Sequence, residues 1–307
     1  MELKVLIFLF ITLPYINCGD ERPYTYAKDV RKLDNYKGKK IVNNILILNQ
    51  NGFMSEREKT FVYAGMFVKD DGSKVPVAIE FIPKEHIEVA VEELKIFEKL
   101  KAHNNSQIEE LGIPNVYYEG AWNKYHLIAM TKLDKSLYDI KREGKIIYPL
   151  DIMILFKNFV IQTEHMHTKG IFHGRVDSKR IMFRSSQSFI TDFHKSREMD
   201  DMNKFELTRQ DWKDFLLMIS NEIRKYGITI YWGNWRATKE ELQQHELNGG
   251  LKTVIKEFGD EAFAEDDSDG ELNDFPNYNH LEEIINIEIN KSPGNSGSPP
   301  KFSWLPN

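Results

Sequence analysis

Between Gly170 and Phe183 the sequence reads GIFHGRVDSKRIMF, and after a polar turn residues 189–193 read FITDF. Two apolar stretches bracket His173, Arg175, Asp177 and Arg180, with Asp192 a short turn away. A histidine can exchange a proton near neutral pH, a carboxylate can take a proton or hold a metal, and an arginine is a fixed cation. Crowded on one loop between buried flanks, these residues have the layout of an active site.

The surrounding chain limits what such a site serves. It has 307 residues, a net charge of −6, 41% hydrophobic residues and a mean hydropathy of −0.49. That is material for one large core or two lobes, and the acidic balance lacks the basic face that a phosphate-tracking protein needs. No nucleic-acid partner is therefore expected. The first 19 residues, a lysine followed by the apolar run Val5–Leu13 and then Pro14, Cys18 and Gly19, have the layout of a signal peptide and are too short to span a bilayer. The expectation is a secreted chain without disulfides, since cleavage near Cys18 or Gly19 removes the only cysteine, and Asn104 in NNS is a candidate glycosylation site.

Residues 20–40 read as a polar extension. Strands follow at IVNNILIL, FVYAGMFV and VPVAIEFI, and then a helix whose apolar face would carry Ile87, Val91, Leu94, Phe97 and Leu100. Two more strands lie in IPNVYYEGAW and YHLIAMTKL. From Pro149 the period is helical: Ile152, Leu155, Phe159 and Val160 or Ile161 point inward up to Gly170, RQDWKDFLLMISNEI is a buried-looking helix, and Thr238 and Glu241 have capping-box spacing. The acidic run with Glu265, Asp267, Asp269 and Gly270 places Pro276 where a calcium loop needs its last carboxylate, so it reads as a solvated loop. Residues 290–307, rich in Pro, Gly and Ser, read as a disordered tail. Strands first and helices later predict an α+β chain with a small β-rich lobe and a larger helical one.

FVYAG before VPVAIEFIP, EELKIFEKL on a helix, GIFH after a long helix and ITDF after a short turn occur in the order of a protein kinase domain. GIPNVYYEGAWNKYHLIAM, KSLYDI, HMHTKG, TRQDWKDFL, YWGNWRATKEEL and FPNYNHLEEI resemble the casein kinase 1 group, with its tau-tubulin and vaccinia-related relatives. The resemblance spans about residues 41–289 and implies a bilobal kinase-like fold, with an N-lobe over about 41–130 and a C-lobe over about 134–289.

Read against that family, the chemistry is largely replaced. The family's glycine-rich phosphate cradle corresponds to LNQNGFMSEREKTFV, with the single glycine Gly52 beside Glu56, Arg57 and Glu58, an ordinary hairpin. The resemblance places Ala78, Glu80, Glu93, Thr131, Lys132, Leu133 and Asp192 around a nucleotide. Glu80 stands where the family has its phosphate-binding lysine, facing the helix glutamate Glu93. Two carboxylates about 4 Å apart repel by roughly 4 kcal/mol at an effective dielectric of about 20, so they must separate, share a proton or borrow a cation. Lys59 is the nearest substitute, but strand parity puts Thr60 on the required face. In the catalytic loop Arg175, Asp177 and Arg180 replace Asp, Lys and Asn, so no catalytic residue is retained. An arginine cannot take a hydroxyl proton, and at position 180 it repels magnesium. Asp192, the one retained metal-ligand position, is expected to pair with Arg180 or Arg175, or else to be a solvated turn residue. His173, Phe193 and Asp211 keep structural places, Asp211 as the acceptor of loop N–H groups. Only residues 193–210, eighteen in all, separate Asp192 from Asp211, a much-shortened substrate segment.

The resemblance thus implies a pseudokinase that acts by binding a protein partner and needs no cofactor. ATP would be held weakly, through hinge backbone at Thr131–Leu133, and without magnesium. The open alternatives are a divergent serine/threonine kinase or other ATP-dependent transferase using Asp177 or Asp192 in new roles, and an anion-binding module using Arg175 and Arg180.

Overall fold

The structure is a computed structural model and describes residues 33–42, 44–56, 60–101, 108–231, 234–244, 249–263, 276–292 and 301–304. The expected leader, Lys59, Asn104 and the acidic run at 265–270 lie outside the described residues. The chain is α+β: a curled antiparallel sheet comes first, and seven α-helices occur among the described residues.

Strands β1 (Lys40–Ile41), β2 (Leu46–Glu56), β3 (Phe61–Val68) and β4 (Lys74–Pro83) form a meander. The expected single strand IVNNILIL is instead a tight hairpin. The chain reverses between Val42 (φ 51°) and Asn44 (φ 70°), and the Ile45 N–H donates to the Val42 carbonyl at 3.0 Å. Within β2, Gly52 is buried beneath the Tyr63 ring. A Cβ there would collide with that ring and with the Ala64 carbonyl, so the lone glycine serves packing inside the hairpin.

Helix α1 (Ile87–Lys101) crosses before β5 (Val116–Trp122) and β6 (Tyr125–Thr131), giving the sheet order β1-β2-β3-β4-β6-β5. Its inner face corrects the reading from apolar periodicity. Phe97 and Leu100 are buried as expected, but Ile87 and Val91 are each 41% exposed, while Ala90, Glu93 and Ile96 turn inward. The rotation follows from Glu93, whose carboxylate has a buried N–H to accept. Such a partner outweighs the burial of one more aliphatic side chain.

Next come β7 (Lys135–Ser136), α2 (Leu137–Arg142), α3 (Pro149–Thr168), β8 (Ile171–Phe172), β9 (Ile181–Arg184), β10 (Gln187–Ile190) and β11 (Arg197–Glu198). The last helices are α4 (Lys204–Arg224), α5 (Trp235–Gln244), α6 (Gly249–Ala262) and α7 (Tyr278–Lys291). On α3, Ile152, Leu155, Phe159 and Val160 are buried and Ile161 is not, which decides the choice between the last two.

The buried apolar side chains form two large clusters. The sheet cluster centres on Phe61, Phe81 and Tyr125, with Phe61 and Phe81 stacked at 4.9 Å. The helical cluster centres on Phe159 stacked on Phe215 at 4.0 Å and Trp212 on Phe258 at 4.6 Å. A small third cluster of Ile82, Ala90 and Ile128 joins α1 to the sheet, while Ile96 and Phe97 of the same helix enter the helical cluster.

Three boundaries differ from the sequence reading. Packing reaches back into the polar extension, where Leu33 is 2% exposed and Tyr36 meets Trp122 edge-on at 5.1 Å. Thr238 and Glu241 cap nothing, because α5 already starts at Trp235, with Asn234 Oδ1 accepting the Ala237 N–H at 3.0 Å. They accept the N–H groups of Tyr231 (2.8 Å) and Thr229 (3.0 Å) from the incoming chain. The tail is not wholly unpacked either: Phe302 is 2% exposed, inside the helical cluster. Its aromatic residues supply the apolar area that the Pro/Gly/Ser composition obscured. Among the described residues no helix is long and apolar enough to cross a membrane.

Candidate functional site

The loop joining β8 to β9 carries the charges, and it is shaped from behind by α4. Asp211, fully buried, accepts the backbone N–H of His173 at 2.8 Å through Oδ2 and that of Gly174 at 3.0 Å through Oδ1. This is the acceptor role expected of Asp211. Its Oδ2 also lies 3.1 Å from His167 Nε2 of α3, whose Nδ1 is 2.5 Å from the Tyr278 hydroxyl of α7. In the tautomer that carries its proton on Nε2, the ring donates to the carboxylate and Nδ1 accepts the Tyr278 O–H. Burial raises the Tyr278 phenol well above its ordinary range, in keeping with a donor that retains its proton. Thus α3, α4 and α7 hold the loop backbone jointly, and sequence reading missed both His167 and Tyr278.

Gly174 occupies the position next to His173 where the kinase pattern has arginine. Its φ is 78°, and a Cβ would lie 2.7 Å from the Lys195 carbonyl, so no side chain fits. His173 is 0% exposed, its Nε2 lies 3.1 Å from the Thr191 carbonyl, and its Nδ1 accepts the Arg175 N–H at 3.3 Å. One nitrogen donates and the other accepts, so the ring is neutral. Burial pushes its pKa down, against the opposing pull of Asp211.

The front of the loop is an ionic lattice. Arg180, with its side chain 10% exposed, donates from Nε to Asp192 Oδ2 at 2.9 Å and from Nη1 to Asp177 Oδ2. Arg175 Nε lies 3.3 Å from the same Asp177 oxygen. His194 Nδ1 is 2.5 Å from the other Asp192 oxygen. The Arg180 partnership expected of Asp192 is present and the solvated-turn alternative is not, since the Asp192 side chain is 8% exposed. Its φ of 73° is unusual for a residue with a Cβ, a strain of the kind that clusters at functional loops. His194 is a partner of Asp192 that the sequence reading did not supply.

Phe193 ties this lattice to the sheet side. Its N–H donates to Glu93 Oε1 at 3.2 Å, and its buried ring meets Phe97 at 5.0 Å and His173 at 5.2 Å. The Glu80 carboxylate, 4% exposed, accepts the Thr60 hydroxyl at 2.5 Å. The two glutamates thus find donors on different elements, and Thr60 takes the inward place that strand parity assigned to it. Behind Asp192 the chain makes one 3-10 turn, Phe193–Lys195, pairs as β11 with β8, and enters α4 at Lys204.

The other residues assigned to a nucleotide pocket lie on the paired strands β4 and β6 and just beyond. Ala78 sits opposite Met130; Thr131 and Leu133 are buried; Lys132 is half-buried, 3.7 Å from Asp134. The Thr131 N–H donates to the Asn115 carbonyl at 2.9 Å. Its hydroxyl accepts the Asn115 N–H at 2.8 Å and donates to Glu109. Glu109 also accepts from Tyr117 Oη at 2.8 Å and from Arg184 at 2.7 Å. Burial would raise the Glu109 carboxyl, but these donors outweigh it and hold it below its usual range; burial and the Glu109 charge push the Tyr117 phenol up to about 12. This network went unread in the sequence because its members are dispersed from 109 to 184.

A divalent cation with triphosphate is what the kinase resemblance would bring to Asp192, and the donor set does not fit it. One Asp192 oxygen is bonded to a guanidinium and the other faces an imidazole, while Asp177 faces two guanidinium groups. Arg175 and Arg180 likewise spend their charge on Asp177 and Asp192, which leaves little positive field for an anion ligand. Compared with protein-family models and with curated proteins, the chain matches none.

Proposed function

We propose that this chain is a secreted pseudokinase of casein kinase 1-like ancestry, bilobal in architecture, which acts by binding a protein partner and transfers no phosphoryl group. The observation that carries the reading is Arg180, whose side chain bridges Asp177 and Asp192. Phosphoryl transfer needs a carboxylate to orient the nucleophile and metal ions to neutralise the phosphates. At those places the chain has a built-in salt bridge. The retained scaffold supports the kinase ancestry: Asp211 grips the loop backbone, Glu93 caps Phe193, and the sheet precedes the helices. Nucleotide recognition is left to the backbone at Thr131–Leu133, where the Thr131 N–H is already bonded to Asn115.

The test combines binding with chemistry. A thermal-shift series against ATP, ATP with Mg²⁺ and ATP with Mn²⁺ should show no metal-dependent stabilisation, whereas a competent site at a hundredfold excess over its dissociation constant gives about 2.7 kcal/mol. Incubation with radiolabelled ATP should transfer no label. Label transfer that Asp192→Ala abolishes would replace this reading with that of a divergent transferase.

A further inference from the structure

The C-terminal segment ends against a buried carboxylate. Phe302 meets the Phe183 ring edge-on at 5.0 Å, and Trp304 stacks on Phe302 at 5.0 Å while touching Phe183 at 5.8 Å. Between them Ser303 is exposed, yet it turns both of its donors onto Asp151: N–H to Oδ1 and Oγ–H to Oδ2, each at 2.7 Å. Asp151 lies in the first turn of α3, is 1% exposed, and also accepts the Tyr148 N–H at 2.8 Å. All three donors are neutral. Burial raises this carboxyl, and the groups acting on it are Ser303 and Tyr148, with no Lys or Arg among them.

The segment is held firmly at one point and loosely at another. Trp304 Nε1 is buried and has no hydrogen-bond partner among the described residues, which weakens its hold. What it covers matters for the site. Phe183 lies on β9, whose first residue follows Arg180, and its carbonyl accepts the Asp134 N–H at 2.7 Å where the chain leaves β6. The Phe302–Trp304 segment therefore backs a strand that begins one residue after Arg180 of the ionic lattice.

We propose that Phe302–Trp304 is a latch on β9 and that Ser303 is a phosphorylation site that opens it. In the modifying step, on a protein kinase with its nucleoside triphosphate, Ser303 Oγ attacks the γ-phosphorus and a new O–P bond forms. The bond from that phosphorus to the β,γ-bridging oxygen breaks, the nucleoside diphosphate leaves, and the kinase's base takes the hydroxyl proton. The product has lost its O–H donor and sets about −1.5 to −2 of charge against the Asp151 carboxylate, whose donors among the described residues, Ser303 and Tyr148, carry no positive charge. The latch cannot close on that pair.

The test uses the whole chain and follows tryptic cleavage after Lys301, which is exposed and adjoins the buried Phe302. Ser303→Glu and chain carrying phosphoserine at 303 should be cut about tenfold faster than wild type or more, and Ser303→Ala only a few-fold faster, because only the former add charge. Asp151→Asn should slow the cleavage of Ser303→Glu, and hydrogen exchange at Ile181–Arg184 should rise and fall with it. A shared melting transition shows that each variant is folded. If Ser303→Glu is cut no faster than Ser303→Ala, or Asp151→Asn gives it no protection, the latch is not charge-controlled and the proposal fails.

Discussion

Arg180 holds Asp192 from Nε at 2.9 Å and Asp177 from Nη1, so one guanidinium joins the two carboxylates of the loop region. With Arg175 on Asp177, two fixed cations face two carboxylates. The side chains of Arg180 and Asp192 are 10% and 8% exposed, so neither charge can be left alone cheaply.

Arg180→Met should therefore destabilise the chain by about 3–5 kcal/mol, the loss expected when a buried ion pair keeps only one partner. Equilibrium unfolding in denaturant measures it. Adding Asp192→Asn should recover part of the loss, and a single-variant loss under about 1 kcal/mol would mean that the lattice is solvent-screened.

His173 should remain neutral in the folded chain well below its ordinary value of 6.5, with the proton on Nε2. A depressed folded pKa contributes stability that is present above 6.5 and is lost as pH falls through the folded value, because the unfolded chain then binds the proton first. The slope from this one group reaches about 1.4 kcal/mol per pH unit. Ring-nitrogen NMR on the folded chain checks it; an imidazolium signal from His173 at pH 6 would contradict the assignment.

Tyr117 carries the opposite dependence. Its phenol is raised from 10.0 to about 12, so its contribution is intact below pH 10 and disappears as pH rises through the folded value. Tyr117→Phe should flatten the stability curve between those limits, and difference absorbance of tyrosinate should show one late-titrating phenol missing.

Tyr278→Phe removes the hydroxyl that satisfies His167 Nδ1 without changing ring volume. The expected loss is about 1–3 kcal/mol for an unsatisfied buried acceptor. Faster hydrogen exchange at the His173 and Gly174 amides, which share Asp211 with His167, should accompany it. A loss of stability that leaves those amides protected would break the proposed chain of support from α7.

The order of elements was legible in the sequence because apolar periods of two and of three to four residues are local, as in β3, β4 and α3. The faces of α1 were not, since Glu93 turns inward for a partner one hundred residues away at Phe193. The role of Asp211 and the Arg180–Asp192 pair followed from charge and spacing around single loops. His167, Tyr278 and the Glu109 network did not, because their partners come together only through tertiary packing. The aromatic residues near the C-terminus were overruled in the reading by the Pro, Gly and Ser around them, although Phe302 and Trp304 themselves were the better guide.

Asp211 grips peptide N–H groups and ignores what the loop displays. The path of the chain at 173 and 174 is thereby uncoupled from the identity of the side chains that follow, so the display can be rewritten while its mount stays in place. Placing Asp, Lys and Asn at 175, 177 and 180 would leave that grip on the backbone untouched, whereas the buried Asp192 carboxylate would lose the guanidinium that now holds it.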